Sequence, residues 1–465
     1  MSYRFRFVAI LFLVVSTTAL SQGLPEVNKG ILEEGEKHNQ AMLHITHLTK
    51  KIGPRLLGSS NLTKACNWSL GQFKKWGLSN VHFEPYMDVP IGFERGKQQL
   101  GRMVSPSKRD FQFTTFAWTP GTKGSISGAA ILEPKSSEEI ERLGAKLKGA
   151  WVLADGPALA MRSRPDTILD ERRKSIEAKG IAGWVFASDS ELLHTSGSWQ
   201  KLDFANLPSI PLVVVRASDA KAIRDELSLE KPVVLDFNID NRFVKGPVKV
   251  GNVVADIPGT EKPDEYVIVG AHLDSWDGPG SEGACDNGTG ATAVIEAARV
   301  LSKLNVKPKR TIRFVLFTGE EEGLLGSRAY MRQHEKELQK ISAVFINDSG
   351  TNYISGLMCH DSMAPQLELA TVLLKKAGSP YEFAITKTSN PPSRNGGGSD
   401  HAPFVEQGIP AFYMRSSGKS NYWQIWHTQN DNLEQVVPDS LKRSGLVFAV
   451  LAYNLACSDR LLPRP

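Results

Sequence analysis

The sequence predicts an α/β protein in which a mostly parallel central sheet, helices on both faces, is interrupted by an inserted β-rich segment. Three observations predict it. Beyond residue 246, apolar runs of strand length alternate with helical patterns, the signature of a parallel sheet wrapped by helices. Between residues 119 and 245, short β-rich runs follow one another with turn residues between them. Acids and histidines recur directly after the apolar runs of the last region, where open α/β sheets bind their ligands.

In chain order, residues 1–21 read as a secretory signal peptide: Met1 to Arg6 is basic, Phe7 to Val15 apolar, and small residues lead to Ser21. The apolar run falls short of the ~20 residues needed to span a bilayer. Export is therefore expected (secreted, periplasmic or secretory-pathway lumen), with no membrane attachment once the leader is removed. Residues 22–118 form an N-terminal part of the main domain. Gly30–Lys51 is helical, with Ile31, Met42, Ile45 and Leu48 punctuating polar positions, and Gly53-Pro54 ends it. A second helix runs from about Leu62 to Trp76, Gly77 breaks it, and Val81–Pro85 is a strand. His38, His44 and His47 lie here without an acid cluster and read as helix-surface residues.

Residues 119–245 carry strand-like runs at Gly128–Leu132, Ala150–Leu153, Gly183–Phe186, Ile210–Val215 and Val233–Phe237, with one amphipathic helix near Arg172–Lys179. None holds a metal-binding or nucleophilic set. Residues 246–465 form the catalytic domain, with strands at Val253–Ile257, Tyr266–Ala271, Thr311–Phe317 and Ala343–Ile346. Its helix from Gly290 to Leu304 places Ala291, Val294, Ile295, Ala298 and Leu301 on one face.

Bulk properties narrow the function. A chain of 465 residues, 41% hydrophobic, can bury a large core. Its formal charge of +5 is spread with both signs mixed, so a nucleic-acid footprint is not indicated. Cys66, Cys285, Cys359 and Cys457 lie far apart and do not form the ligand pairs of a structural zinc site. Asn61, Asn67 and Asn287 each open a glycosylation triplet; the last stands beside a candidate metal ligand and is discounted.

The chemistry concentrates in His272, Asp274, Asp286, Glu320 to Glu322, Asp348 and His427. Imidazole nitrogen and carboxylate oxygen are zinc donors, and two zinc ions sharing one carboxylate make a hydrolytic centre that activates a single water. We assign His272, Asp286 and Asp348 to one ion, and Asp286, Glu321 and His427 to the other, with the loop acid Asp286 shared. Asp274 is placed to receive the free imidazole N–H of His272. Adjacent glutamates at a strand end cannot all face one ion, so Glu321 ligates while Glu320 serves as general base. Taken alone, three consecutive glutamates also suit a solvated helix start; the other ligand positions favour the catalytic reading.

The chain resembles the co-catalytic zinc exopeptidases, and the carboxypeptidase Q family among them. The likeness rests on Ile52-Gly-Pro-Arg55, Gly58-Ser-Ser-Asn61, Phe93-Glu-Arg-Gly96, the phrase from Gly270 to Asp277, Lys307 to Thr311 and Asn421 to Trp423. It extends from about Gly30 to the C-terminus. Lys148–Leu153 and Ala178–Val185 resemble a protease-associated domain inserted in such enzymes. The resemblance implies hydrolysis of short peptides, often by a homodimer, with ligands at His272, Asp286, Glu321, Asp348 and His427 and the base at Glu320. Two departures stand out: a long loop between Asp277 and Asp286, and Asn287 where a second aspartate is common. Gly398–Phe404 is similar to a segment of aminopeptidases and glutaminyl cyclases, which makes Asp400 and His401 candidates to border the substrate; Arg394, Arg415 and Tyr422 are further candidate contacts. The rival functions are a one-zinc glutaminyl cyclase and a non-catalytic binding relative of the fold. The inserted segment weighs against the first, the complete ligand set against both.

Overall fold

The computed structural model describes residues 23–155, 171–200, 202, 204–376, 383–390 and 397–465. The expected leader lies outside them. Fifteen strands are formed among these residues: β1 (Ser79–Ser105), β2 (Arg109–Asp110), β3 (Phe113–Thr115), β4 (Ile126–Leu132), β5 (Trp151–Leu153), β6 (Gly183–Ala187), β7 (Leu212–Val215), β8 (Val234–Ile257), β9 (Lys262–His272), β10 (Arg310–Phe317), β11 (Ile341–Ile346), β12 (Tyr353–His360), β13 (Ala384–Thr388), β14 (Ala411–Tyr413) and β15 (Arg415–Ser417).

In the catalytic region β14, β11, β9 and β10 are parallel neighbours, and β8 then pairs antiparallel with β10. Both faces of these strands are buried, which explains their continuous apolar character. In β9, Val267 and Val269 point into one core while Ile268 points into the other, as the two-residue strand period requires. The first core lies under helices Ser60–Lys75, Thr289–Lys303 and Pro438–Ala456, the second under Leu325–Gln333 and Ala402–Glu406. Helix Thr289–Lys303 is buried on almost every side because it is sandwiched between the sheet and helix Pro438–Ala456. Each fully buried Val294, Val300 or Leu301 contributes roughly 1.5–3 kcal/mol. This framework holds the strand ends in fixed relation.

The predicted runs Val81–Pro85 and Val253–Ile257 are the ends of much longer strands. β1 and β8 pair antiparallel from Ser79 opposite Asp256 to Ser105 opposite Val234, through several register shifts. Val233–Phe237 lies at the other end of the same ribbon, so a boundary at residue 245 falls inside β8. At the far end of the ribbon β4, β5, β6 and β7 form a parallel sheet, with β3 antiparallel at its edge. Parallel strands need crossover connections: helix Ser137–Leu143 lies between β4 and β5, and the expected helix, seen at Glu171–Glu177, between β5 and β6, while a further helix, Ala217–Ser228, leads from β7 to β8. Two separate apolar clusters fill the two faces of this sheet.

The single helix expected over Gly30–Lys51 is two, Pro25–Lys37 and Ala41–Thr46, followed by a wide turn through Ile52. His44 corrects the surface reading. It is buried between the Trp68 and Trp76 rings, with Nε2 3.5 Å from a Glu296 carboxylate oxygen. His47 stacks on Trp68 at 4.7 Å, while His38 stays on the surface beside Glu34. Among the described residues no helix is long and apolar enough to cross a membrane.

Candidate metal centre and active site

Three strand ends meet at one place. His272 is the last residue of β9; Glu320 and Glu321 follow β10 after Thr318-Gly319; Asp348 follows β11. The chain can turn after β10 because Gly319 has φ +73°, and a Cβ there would sit 2.8 Å from the Tyr86 hydroxyl oxygen. Tyr86 donates to the Thr318 carbonyl at 2.7 Å, and Asn252 accepts from Thr318 N–H at 3.2 Å. These contacts fix where the glutamates emerge.

Asp286 comes from the buried turn Ala284–Gly288, and the Asp286–Asn287 peptide is cis. Asp431 holds this turn by accepting from the N–H groups of Cys285 (2.6 Å) and Asp286 (3.3 Å). Asn287 donates to the Asn347 carbonyl at 2.8 Å and accepts from Gly290 N–H at 2.9 Å, so it also caps the helix that follows. Being fully buried, Asn287 cannot carry a glycan. Arg55 stitches the strand end to the loop, donating from Nε to Leu273 O and from Nη2 to Gly283 O, both at 2.6 Å. Burial lowers its pKa to about 10, still far above neutrality.

The turn brings two trios together, His272–Asp286–Asp348 and Asp286–Glu321–His427, with the donor atoms of each trio within 4.8 Å of one another. His272 Nε2 lies 3.4 Å from Asp286 Oδ1 and 3.2 Å from Asp348 Oδ1. His427 Nε2 lies 3.2 Å from Asp286 Oδ2 and 2.9 Å from Glu321 Oε2. His427 is itself held in a left-handed backbone conformation, φ +52°, which costs a residue with a Cβ about 1–2 kcal/mol. Its ring stacks on Trp426 at 4.2 Å and meets the edge of Trp276.

Asp274 differs from expectation. The nearest acceptor to His272 Nδ1 is the Asp274 backbone carbonyl at 3.1 Å, with the carboxylate at 3.7 Å. The chain bends just past β9, so the peptide oxygen reaches the ring first, and the carboxylate takes the Glu321 N–H at 3.3 Å. Asp274 thus bears on both trios at once.

The electrostatics are those of crowded acids. Burial works against the Asp286 carboxylate, but His272 and His427 outweigh it and keep its pKa below the ordinary range. Burial and then Asp286 push Glu321 up to about 7, against the pull of His427. Burial drives Glu320 well above its usual value; His272 opposes this, while Asp348 and Glu321 add to it. Burial lowers His427, yet Glu321 and Asp286 raise it to about 10. Asp286 Oδ2, Glu321 Oε1 and Asp274 Oδ1 are buried with no hydrogen-bond partner. Orphaned carboxylate oxygens clustered around two imidazoles call for cations, and this donor set fits divalent metals.

The remaining candidates divide. Asp400 is fully buried beside the centre; burial pushes it to about 7, with Asp274 and Asp348 adding to the rise against His272. His401 packs against the Tyr413 ring at 5.3 Å, and burial lowers it to about 4, so it stands neutral and offers an N–H rather than a charge. Tyr422 packs over Gly350, where a Cβ would meet its ring at 2.5 Å. Arg415 is exposed on β15 and donates to Thr386 Oγ1 at 3.1 Å. Arg394 lies outside the described residues. Arg55, Asp431 and Tyr413, whose hydroxyl donates to the Asp348 carbonyl, were not singled out from sequence chemistry.

The profile of Peptidase family M28 matches residues 252–452. That stretch belongs to peptidase family M28. Carboxypeptidase Q of Mus musculus is 27% identical over 431 residues, covering 92% of this chain and 88% of that one. Among solved structures, the peptidase M28 precursor from Shewanella amazonensis superposes with a TM-score of 0.67 at 25% identity, over 95% of this chain and 98% of that one. A zinc aminopeptidase from Bacillus subtilis shares the fold, with a TM-score of 0.57 at 23% identity over 90% and 95% of the two chains. The M28 unit therefore includes both trios and Glu320, and the chain is a metallo-exopeptidase.

Proposed function

We propose that this metallo-exopeptidase is exported and hydrolyses short peptides with an unblocked terminus at a centre of two zinc ions. The observation that carries the reading is the pair of donor trios meeting at Asp286. The orphaned oxygens of Asp286 and Glu321 support it, because a buried carboxylate needs a partner for each face. His272, Asp286 and Asp348 would hold one ion; Asp286, Glu321 and His427 the other. Zinc bound there would supply Lewis acidity toward the peptide carbonyl and make a water acidic enough to ionise near neutral pH.

The chain's own groups do the rest. Glu320 takes the proton of the attacking water and passes it to the departing amine. Its raised pKa suits a group that must hold that proton between the two steps, and cations bound by the neighbouring ligands would favour its ionised form. Asp274, through its peptide oxygen on His272 and its carboxylate on the Glu321 N–H, keeps these two ligands aligned. Export is supported by the leader pattern in residues 1–21.

Dialysis against a chelator is expected to abolish hydrolysis, with zinc, cobalt or manganese restoring part of it. Metal analysis of the active protein should find two ions per chain; full activity in metal-free protein would overturn the reading. The substrate end is the second test. A free terminal amine is expected to bind beside the acid-rich centre, where both Glu322 carboxylate oxygens lack partners. A free dipeptide should therefore be cleaved faster than its N-acetylated form at equal concentration, with the C-amidated form less affected. Faster cleavage of the acetylated form would reverse the assigned polarity. Efficient cutting inside a folded protein would remove the exopeptidase class.

A further inference from the structure

The two trios differ in how the fold supports them. His272, Asp286 and Asp348 come from β9, the turn Ala284–Gly288 and the end of β11, all within the catalytic region. His427 instead rides on a loop gripped by the inserted segment. The connection between β6 and β7 runs alongside it: Thr195 N–H donates to the His427 carbonyl at 2.8 Å, and Gln429 N–H donates to Leu193 O at 2.9 Å. Leu193 N–H in turn donates to Gln429 Oε1 at 3.2 Å, and His194 bridges antiparallel to Thr428.

This grip is packed from behind. Thr195 and Leu193 are buried. Gly278 approaches Thr195 so closely that a Cβ there would sit 2.4 Å from the Thr195 methyl, and one at Gly280 would sit 2.6 Å from Gln429 O. Ala117 N–H donates to Ser196 O at 2.8 Å, and Trp199 packs with the Trp118 and Trp276 cluster that abuts the His427 ring. His427 has the left-handed backbone described above, so its direction depends on what holds its peptide carbonyl.

We propose that the inserted segment, through Thr195, positions His427 and thereby sets the affinity of the Asp286–Glu321–His427 trio for its metal, leaving the other trio independent of it. This rests on the two-zinc reading. Thr195 is a positioning residue: it touches the ligand's backbone and not the reacting atoms. Losing a group that orients a ligand costs about 10–100-fold in metal affinity, and here the loss should fall on one ion alone.

The full-length protein is stripped of metal and titrated with zinc by calorimetry, then with cobalt while its visible spectrum is followed. Wild type should bind two ions with separate affinities. Thr195→Pro removes the donated N–H and should weaken the second ion about 10–100-fold while the first is unchanged. Gly278→Ala pushes on the Thr195 methyl and should weaken the same ion; adding Thr195→Ser, which deletes that methyl, should restore it. That rescue decides the matter if the proline variant fails to fold. Both ions bound as in wild type by Gly278→Ala and Thr195→Pro, or both weakened equally, would overturn the proposal. A wild type that binds one ion only would overturn the two-zinc reading, and this proposal with it.

Discussion

Glu320→Gln is expected to keep its metal content and to lose about 10²–10⁴-fold in turnover, the usual effect of removing a general base. The substitution preserves shape and volume while taking away the ability to accept a proton. Metal content is retained because Glu320 belongs to neither trio of donor atoms, whereas its neighbour Glu321 reaches His427 at 2.9 Å. The two side chains separate because the chain turns here: Glu320 O accepts from the N–H groups of Gly323 and Leu324, and Asp274 holds the Glu321 N–H. Glu321→Gln is the matched control, expected to weaken the ion shared with His427. Steady-state kinetics with metal analysis on the same samples checks both. If Glu320→Gln empties the centre while Glu321→Gln leaves it filled, the ligand and the base must be exchanged.

The residues that the structure brings together at the candidate centre were legible because their type and position were informative together. His272, Glu320 and Asp348 each follow an apolar run of strand length, and a parallel sheet brings such ends to one edge. Asp286 was legible as an acid in a glycine-rich turn before a helix, and His427 as a late histidine among acids and amides. The positioning groups were not. Arg55 works through backbone carbonyls at residues 273 and 283, and no side-chain pattern records where those carbonyls lie. Asp431 acts through the N–H groups of Cys285 and Asp286, 145 residues or more away in sequence.

The same limit applies to the fold. The length of β1 and β8 was hidden because the middle of β8, residues 242–249, is exposed or half-buried, and bulges disrupt the alternation a sequence reader counts. His44 was misread because the acid that receives it, Glu296, belongs to a helix formed more than two hundred residues later. Two helices near β4 to β7 were missed for a related reason. Ser137–Leu143 and Ala217–Ser228 are polar on most of their surface, burying one and three residues respectively, so their apolar stripe is thin.

Asp286→Ala should abolish activity and also uncouple the protein's stability from zinc. Asp286 is the one donor common to both trios, so its loss removes an anionic ligand from each ion at a stroke. A ligand that binds only the folded chain stabilises it by about 4 kcal/mol per site at a free concentration a thousand times its Kd. Wild type should therefore melt at progressively higher temperature as zinc is added, and the variant should not. The metal-free proteins should differ far less. There, Asp286 raises the pKa of both Glu321 and Asp348, a repulsion relieved by its removal, while its contacts with His272 and His427 are lost. These effects oppose each other, so most of the difference should appear only with metal present. Thermal melts with and without zinc, read beside a zinc titration, separate the cases. A variant that still bound two ions with near wild-type affinity would show that Asp286 does not bridge them.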